Sequence, residues 1–200
     1  MKYFVSLLIL LSITFNPLIT FADEAILAGG CFWCLEHDLE STNGINYVDS
    51  GYSGGSLQNP TYENHIGHQE VVLINYDKNL IDYQDILRLY LRNIDPLDDG
   101  GQFCDRGDSY IPAIFFANEE EEKKAKNALL AASKELNLPL KKIKVVLKPK
   151  SKFWLAEDYH QNFADNNELK YKFYRFTCGR DQKLDQLWGE NAREIELWNE

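Results

Sequence analysis

A chain of 200 residues, 44% hydrophobic and 13% aromatic, carries enough apolar material for one packed core, which excludes a disordered protein. A formal net charge of −10, with no basic stripe, excludes nucleic acid as a partner.

Residues 1–22 come first, as a separate object. Met1-Lys2 gives a minimal positive start, Phe4 to Leu11 is almost wholly apolar, and Thr20-Phe21-Ala22 reads as a cleavage site before Asp23. This predicts a cleavable secretory signal peptide and an exported chain, periplasmic or secreted, with residues 23–200 as one domain and expected to act as a monomer. Membrane anchoring by an uncleaved N-terminus is the rival reading, which Pro17 and Ala22 oppose. After Asp23, Glu24 to Ala28 is a short apolar strand, and a helix runs from Phe32 to about Ser41, with Gly44 placed for a left-handed cap. Ile45 to Gly51 is strand two, the Gly/Ser/Asn/Pro stretch Ser53 to Pro60 a loop, and Glu70 to Tyr76 strand three. A second helix spans about Tyr83 to Asn93, with Ile86, Leu87, Tyr90, Leu91 and Ile94 on one face. Asp95 to Tyr110 is a long polar loop and Ala113 to Ala117 strand four. The order βαββαβ predicts an α+β two-layer sandwich on a ferredoxin-like split βαβ core. A charged helix (Glu119 to Leu136) and a strand (Lys144 to Leu147) complete it. From about residue 164 an irregular C-terminal tail carries Cys178, with a terminal helix near Leu184 to Trp198.

Outside the cytosol an even cysteine count suggests structural disulfides. A domain of this size folds without such staples, however. Cys31, Cys34, Cys104 and Cys178 therefore read as redox-active, with one structural bridge as the fallback. The run Gly29-Gly30-Cys31-Phe32-Trp33-Cys34 is the most informative. It sets Cys31 on a glycine turn at a helix start, where unpaired N–H groups and the positive end of the macrodipole favour thiolate. The glycines are expected to leave the sulfur uncovered, and Phe32 and Trp33 to form an apolar wall beside it. Four more runs lie at element ends that a split βαβ sheet can bring to one edge: Gly51-Tyr52-Ser53-Gly54-Gly55, Asn59-Pro60-Thr61-Tyr62, Gly67-His68-Gln69-Glu70, and Phe103 to Tyr110 with Cys104 and Asp105. Each also has a local reading: glycines for turns, tyrosines for the core, Glu70 as a solvated strand start.

Together these runs resemble the peptide methionine sulfoxide reductases of the A type. The resemblance extends from Ala25 to about Phe163. It includes Ala113-Ile114-Phe115, Glu157-Asp158-Tyr159-His160-Gln161 and, in part of the family, the tail Cys178-Gly179-Arg180-Asp181 with Leu187-Trp188-Gly189. It implies reduction of methionine-S-sulfoxide, in proteins and as the free amino acid, with no bound cofactor and no metal. Cys31 would be the nucleophile on the sulfoxide sulfur. Glu70 would be the acid that protonates the departing oxygen, its pKa raised by an apolar pocket. Tyr52 and Tyr110 would hydrogen-bond that oxygen, Asp105 would order the site, and Phe32 and Trp33 would seat the methyl group. The sulfenic acid left on Cys31 would be closed to a disulfide by a second thiol and recycled by a thioredoxin-like external dithiol. Cys178 is the first choice for that second thiol, from its glycine-flanked tail and the family match. Cys34, within a C-x-x-C, and Cys104, beside Asp105, remain alternatives.

Two departures stand out: the loop Glu63-Asn64-His65-Ile66 is shorter than usual for the family, and Ile111 stands where arginine is common. Two rival functions also remain open. A C-x-x-C thiol–disulfide oxidoreductase would use Cys31 and Cys34 and have no need of Glu70 or Tyr52. A structural zinc module would use Cys31, Cys34 and His65 or His68, with only one of the two cysteine pairs such sites usually show.

Overall fold

The computed structural model describes residues 23–194. The expected signal peptide and the far end of the expected terminal helix, residues 195–198, lie outside the described residues. In chain order the elements are β1 (Asp23–Ala28), α1 (Phe32–Glu40), β2 (Ile45–Ser53), β3 (Gln69–Tyr76), α2 (Tyr83–Leu91), β4 (Gly101–Gln102), β5 (Asp105–Arg106) and β6 (Ala113–Phe116). There follow α3 (Glu119–Glu135), β7 (Val146–Pro149), β8 (Trp154–Leu155), α4 (Phe163–Asn166), α5 (Glu168–Cys178) and α6 (Arg180–Trp188). The result is a mixed α/β fold: a central sheet ordered β7-β6-β1-β3-β2-β8, antiparallel throughout except for the parallel pair β6–β7. β4 and β5 form a separate hairpin inside the long loop.

β1 lies in the middle of the sheet and is apolar on both faces, as a doubly buried strand must be. Ala25 and Leu27 join Val72, Ile74, Phe32, Leu35 and Ile86 in the main core under the helices, while Ile26 and Ala28 join Val71, Leu73, Ala113 and Phe115 on the opposite face. Helix starts are set by local capping. The Asp82 carboxylate accepts from the Asp85 N–H at 2.8 Å to begin α2. Asn118 accepts from Glu121 N–H at 2.9 Å, and the Glu121 carboxylate reaches back to Ala117 N–H at 2.7 Å to begin α3.

The tail differs from expectation. Residues expected to be irregular form α4, α5 and α6, and the helix expected to run to Trp198 starts earlier and ends at Trp188, where Gly189 takes φ +58°. The periodicity of the tail explains the helices. Tyr171, Tyr174, Arg175 and Cys178 follow the i, i+3, i+4, i+7 pattern of one helix face and turn inward. Leu169, Phe173 and Phe176 share the other face and are 85%, 71% and 83% exposed. Those outward aromatics blur the amphipathic signal when the sequence is read alone. The tail is anchored by buried polar contacts: Glu36 of α1 accepts from Asn162 N–H at 3.0 Å, and the Gln161 side chain pairs with both the N–H and the carbonyl of Ser50 at 3.0 Å.

Candidate active site

Cys31 is the N-cap residue of α1, at the end of the turn that leaves β1. Gly30 takes φ +81°, and a Cβ there would lie 2.5 Å from the Gln102 Cβ. A Cβ on Gly29 would lie 2.7 Å from Ile94. Glycine is thus required twice over, by conformation at the second position and by close packing at both. Glu70 enters from the adjacent strand pair, where it stands opposite Tyr52 in the β2–β3 register. Its Oε2 accepts from the Phe32 N–H at 3.1 Å, one of the otherwise unpaired donors of the α1 start.

Cys31, Phe32, Trp33, Tyr62, Glu70, Asp105, Tyr110 and Tyr174 line a cavity of about 60 Å³. That is on the order of two water volumes, room for the end of one side chain. Glu70 is 2% exposed, and burial pushes its carboxyl up to about 8, only partly opposed by hydrogen bonds from Phe32 and Tyr110. A carboxylic acid that keeps its proton at neutral pH therefore lies at the wall of the cavity. Burial also raises the carboxyl of Asp105, against a 2.6 Å hydrogen bond from the Tyr174 hydroxyl. The phenols of Tyr110 and Tyr174 are pushed up by burial and by neighbouring anionic groups, so both serve as donors.

Cys31 departs from expectation in two respects. Its residue is 6% exposed rather than uncovered, because Phe163, Ala164, Tyr171 and Tyr174 of the tail pack over the turn. Burial, a hydrogen bond with Cys34 and the nearby Glu70 raise its thiol well above the ordinary value, overriding the helix start. Phe32 and Trp33 do line the cavity as expected. Trp33 is fixed by stacking on Phe163, with ring centres 3.6 Å apart, and by donating from Nε1 to His160 Nδ1 at 3.1 Å. Tyr110 and Asp105 line it too. Tyr52 does not: its ring is fully buried and stacks on His65, and its hydroxyl donates to Glu157 Oε2 at 3.0 Å. The other Glu157 oxygen accepts from Tyr62 N–H at 2.9 Å, which places Tyr62 at the cavity.

Tyr62, Tyr174, Glu157 and His160 were thus missed as site residues. The runs Asn59 to Tyr62 and Glu157 to Gln161 held three of them in plain view. Tyr174 lies in the tail that the sequence alone presents as irregular.

Cys178 is bonded to Cys104, with Cα atoms 4.9 Å apart, while Cys31 and Cys34 are free thiols. Asp105 lies 3.9 Å from each sulfur of the bridge, and Arg180 stacks over Phe103 of the same hairpin, with 4.6 Å from its guanidinium carbon to the ring centre. His68, offered as a zinc ligand, is committed elsewhere: Nδ1 accepts from Gly55 N–H at 3.3 Å and Nε2 pairs with the Leu57 carbonyl at 2.9 Å.

A thiol beside a protonated carboxylic acid, within aromatic walls and connected through Tyr174 to a second cysteine pair, is the equipment of a thiol-based reductase. Comparison with known proteins gives the particular kind. The chain belongs to the peptide methionine sulfoxide reductase family, whose sequence profile matches residues 23–192. These enzymes reduce methionine sulfoxide. The chain is 45% identical over 171 residues to peptide methionine sulfoxide reductase MsrA 2 of Caulobacter vibrioides, covering 84% of this chain and 86% of that one. The MsrA 2 protein of Rhizobium meliloti is 43% identical over 170 residues, covering 84% of each chain. Methionine sulfoxide reductase A of Corynebacterium diphtheriae superposes with a TM-score of 0.66 at 27% identity, over 74% of this chain and 76% of that chain. Reduced Mxr1 of Saccharomyces cerevisiae shares the fold, with a TM-score of 0.68 at 24% identity over 74% of this chain and 86% of its own.

Proposed function

We propose that the chain reduces methionine-S-sulfoxide, in oxidised proteins or peptides and as the free amino acid, through Cys31. The observation that carries this reading is the buried Glu70 carboxyl, raised to about 8 and hydrogen-bonded to the residue directly after Cys31. Sulfoxide oxygen leaves only when protonated. Cys31 sulfur attacks the sulfoxide sulfur, and the oxygen leaves as water with the Glu70 proton and the Cys31 thiol proton, giving a Cys31–methionine sulfonium. A water then attacks the Cys31 sulfur, returning a proton to Glu70, breaking the S–S bond, releasing methionine and leaving a sulfenic acid on Cys31. Tyr110 donates to the oxygen with Tyr62 alongside, and Tyr52 acts one step back, through the Glu157 carboxylate that also holds Tyr62. Phe32 and Trp33 seat the methyl group, an apolar contact worth about 1–3 kcal/mol. Asp105 orders Tyr174 over the nucleophile.

The oxidising equivalent then passes to Cys178, ending as its disulfide with Cys104, and an external thioredoxin-like dithiol reduces that bridge. No bound cofactor takes part. We read the core as ferredoxin-like, with its four main strands in the order β6-β1-β3-β2, and residues 1–22 as a signal that exports a monomeric enzyme. The reductant therefore acts on the far side of the membrane.

The test uses protein beginning at Asp23, with dithiothreitol and the separate S and R epimers of a methionine sulfoxide peptide. Consumption of S alone, abolished by Cys31→Ser, is the expected result. Folded protein with titratable thiols that consumes neither epimer overturns the reading and favours a C-x-x-C oxidoreductase.

A further inference from the structure

Among the described residues, two sets of three side chains of metal-ligating type bring their ligand atoms within 4.8 Å of one another. His37, Glu40 and Asp165 offer one nitrogen and two carboxylates near the surface. Cys104, Asp105 and Cys178 offer two sulfurs and a carboxylate. The mechanism above uses those sulfurs as a bridge that closes and is reduced, and gives no role to the carboxylate lodged between them. Asp105 Oδ1 lies 3.9 Å from Cys104 Sγ, and Oδ2 lies 3.9 Å from Cys178 Sγ.

We propose that, once the Cys104–Cys178 bridge is reduced, Cys104, Cys178 and Asp105 bind a zinc ion, so that metal and disulfide are alternative states of one site. Two thiolates with a carboxylate are a donor set that suits zinc. Zinc bonds of about 2.3 Å to sulfur and about 2.1 Å to oxygen, at a tetrahedral angle, set a sulfur–oxygen edge of about 3.6 Å. The observed separations are within a few tenths of an ångström of that edge. The parted sulfurs need an edge of about 3.8 Å, within reach of side-chain rotation across Cα atoms 4.9 Å apart.

The backbone on both sides is held by contacts other than the bridge. On one side, β4 pairs Gln102 with Asp105 and Gly101 with Arg106, and Arg106 Nη2 donates to Asp98 at 2.9 Å. On the other, Arg175 fixes α5 to Asp38 at 2.7 Å. The Tyr174 hydroxyl donates to Asp105 Oδ2 at 2.6 Å, which orients the carboxylate and leaves Oδ1 for the metal. Metal-binding carboxylates commonly have such an outer partner. Zinc with two thiolates and one carboxylate carries a net charge of minus one, and the buried guanidinium of Arg180, 4.6 Å from the Phe103 ring centre, lies on the same hairpin to offset it. Cys104 is exposed, which gives the ion a way in and the fourth position to water.

Binding zinc releases the two thiol protons. Closing the bridge then expels the ion: a small disulfide such as oxidised glutathione takes two electrons from the thiolates and two protons from solvent, leaving two small thiols, the Cys104–Cys178 bond and free zinc. Zinc at 100 times its dissociation constant is expected to slow that closure about 100-fold, in proportion to the chains left without metal. Binding itself requires no assumption about the reaction catalysed.

The experiment uses Cys31→Ser, Cys34→Ser protein beginning at Asp23, so that only the tail pair can supply sulfur. It is reduced with a phosphine, because a dithiol would compete for metal, and titrated with cobalt(II) and then with zinc. One cobalt per reduced chain is expected, with sulfur-to-cobalt charge-transfer absorption that zinc abolishes. The same protein with its bridge closed shows no such band, and the set at His37 cannot produce one. Asp105→Asn weakens zinc by more than about tenfold, and Tyr174→Phe weakens it by about 10–100-fold, the usual reach of an outer partner. Closure of the Cys104–Cys178 bridge by oxidised glutathione in each variant shows that the loops still meet. Reduced protein without the charge-transfer band, an equal band with the bridge closed, or zinc affinity unchanged in Asp105→Asn overturns the proposal. None of these results touches the proposed function, which is read separately from methionine formation.

Discussion

At the scale of single residues, Glu70 governs how the site depends on pH. In the proposed mechanism its carboxyl must be protonated to act, and burial pushes it up to about 8, so methionine formation in a single turnover is expected to fall as pH rises through that value. Glu70→Gln removes the falling limb and lowers the rate by about 10²–10⁴-fold, the usual reach of a positioned acid. Stability runs the other way. A carboxyl whose folded pKa exceeds its unfolded one binds more protons in the native state, so native stability declines from about pH 4.5 up to about 8 and is then level. Glu70→Gln is therefore more stable than the parent at pH 9, by an amount on the order of a few kcal/mol, and the gain vanishes at pH 4. Urea titrations at the two pH values check it. Gly30→Ala costs about 2 kcal/mol or more in the same assay, from strain at positive φ and from the clash with Gln102. The glycine turn, the aromatics after it and the acid were legible because each is a local demand of the backbone or of the chemistry. Burial of Cys31 was not, since its cover comes from residues far along the chain.

At the scale of elements, α5 is the piece that a reading of the sequence placed least well and that the site needs most. Its inner face supplies Tyr171, Tyr174 and Cys178 while its outer face keeps Leu169, Phe173 and Phe176 in solvent. Arg175 ties it down, donating to Asp38 at 2.7 Å and bidentately to Asp181, with itself and Asp38 only 11% and 8% exposed. Replacing it leaves a buried carboxylate without its main partner. Arg175→Ala is expected to destabilise the protein by about 3–5 kcal/mol in urea unfolding. Lys172→Ala, on the exposed side of the same helix, leaves the midpoint unchanged. Tyr52 teaches a related lesson. Its place on β2 opposite Glu70 followed from strand order, but the direction of its hydroxyl depended on Glu157, brought in by β8 on the sheet edge. Strands and their order follow from periodicity and turns, whereas contacts across the sheet edge follow from the tail.

At the scale of the whole molecule, the Cys104–Cys178 bridge joins positions 74 residues apart. In the chain-entropy account such a link stabilises the fold by about 4 kcal/mol. Dithiothreitol is accordingly expected to lower the melting temperature, with hydrogen exchange rising first in 163–178. An unchanged melt would show that the tail is held by Arg175 and its neighbours alone. The bridge also closes a covalent ring that contains β7 and β8, the two outer strands on opposite edges of the sheet. Lys141 and Lys142 lie exposed on that ring. A single tryptic cut there leaves one band on a non-reducing gel and two on a reducing one for as long as the bridge is closed, so the count of fragments becomes a clock for the last step of the proposed cycle.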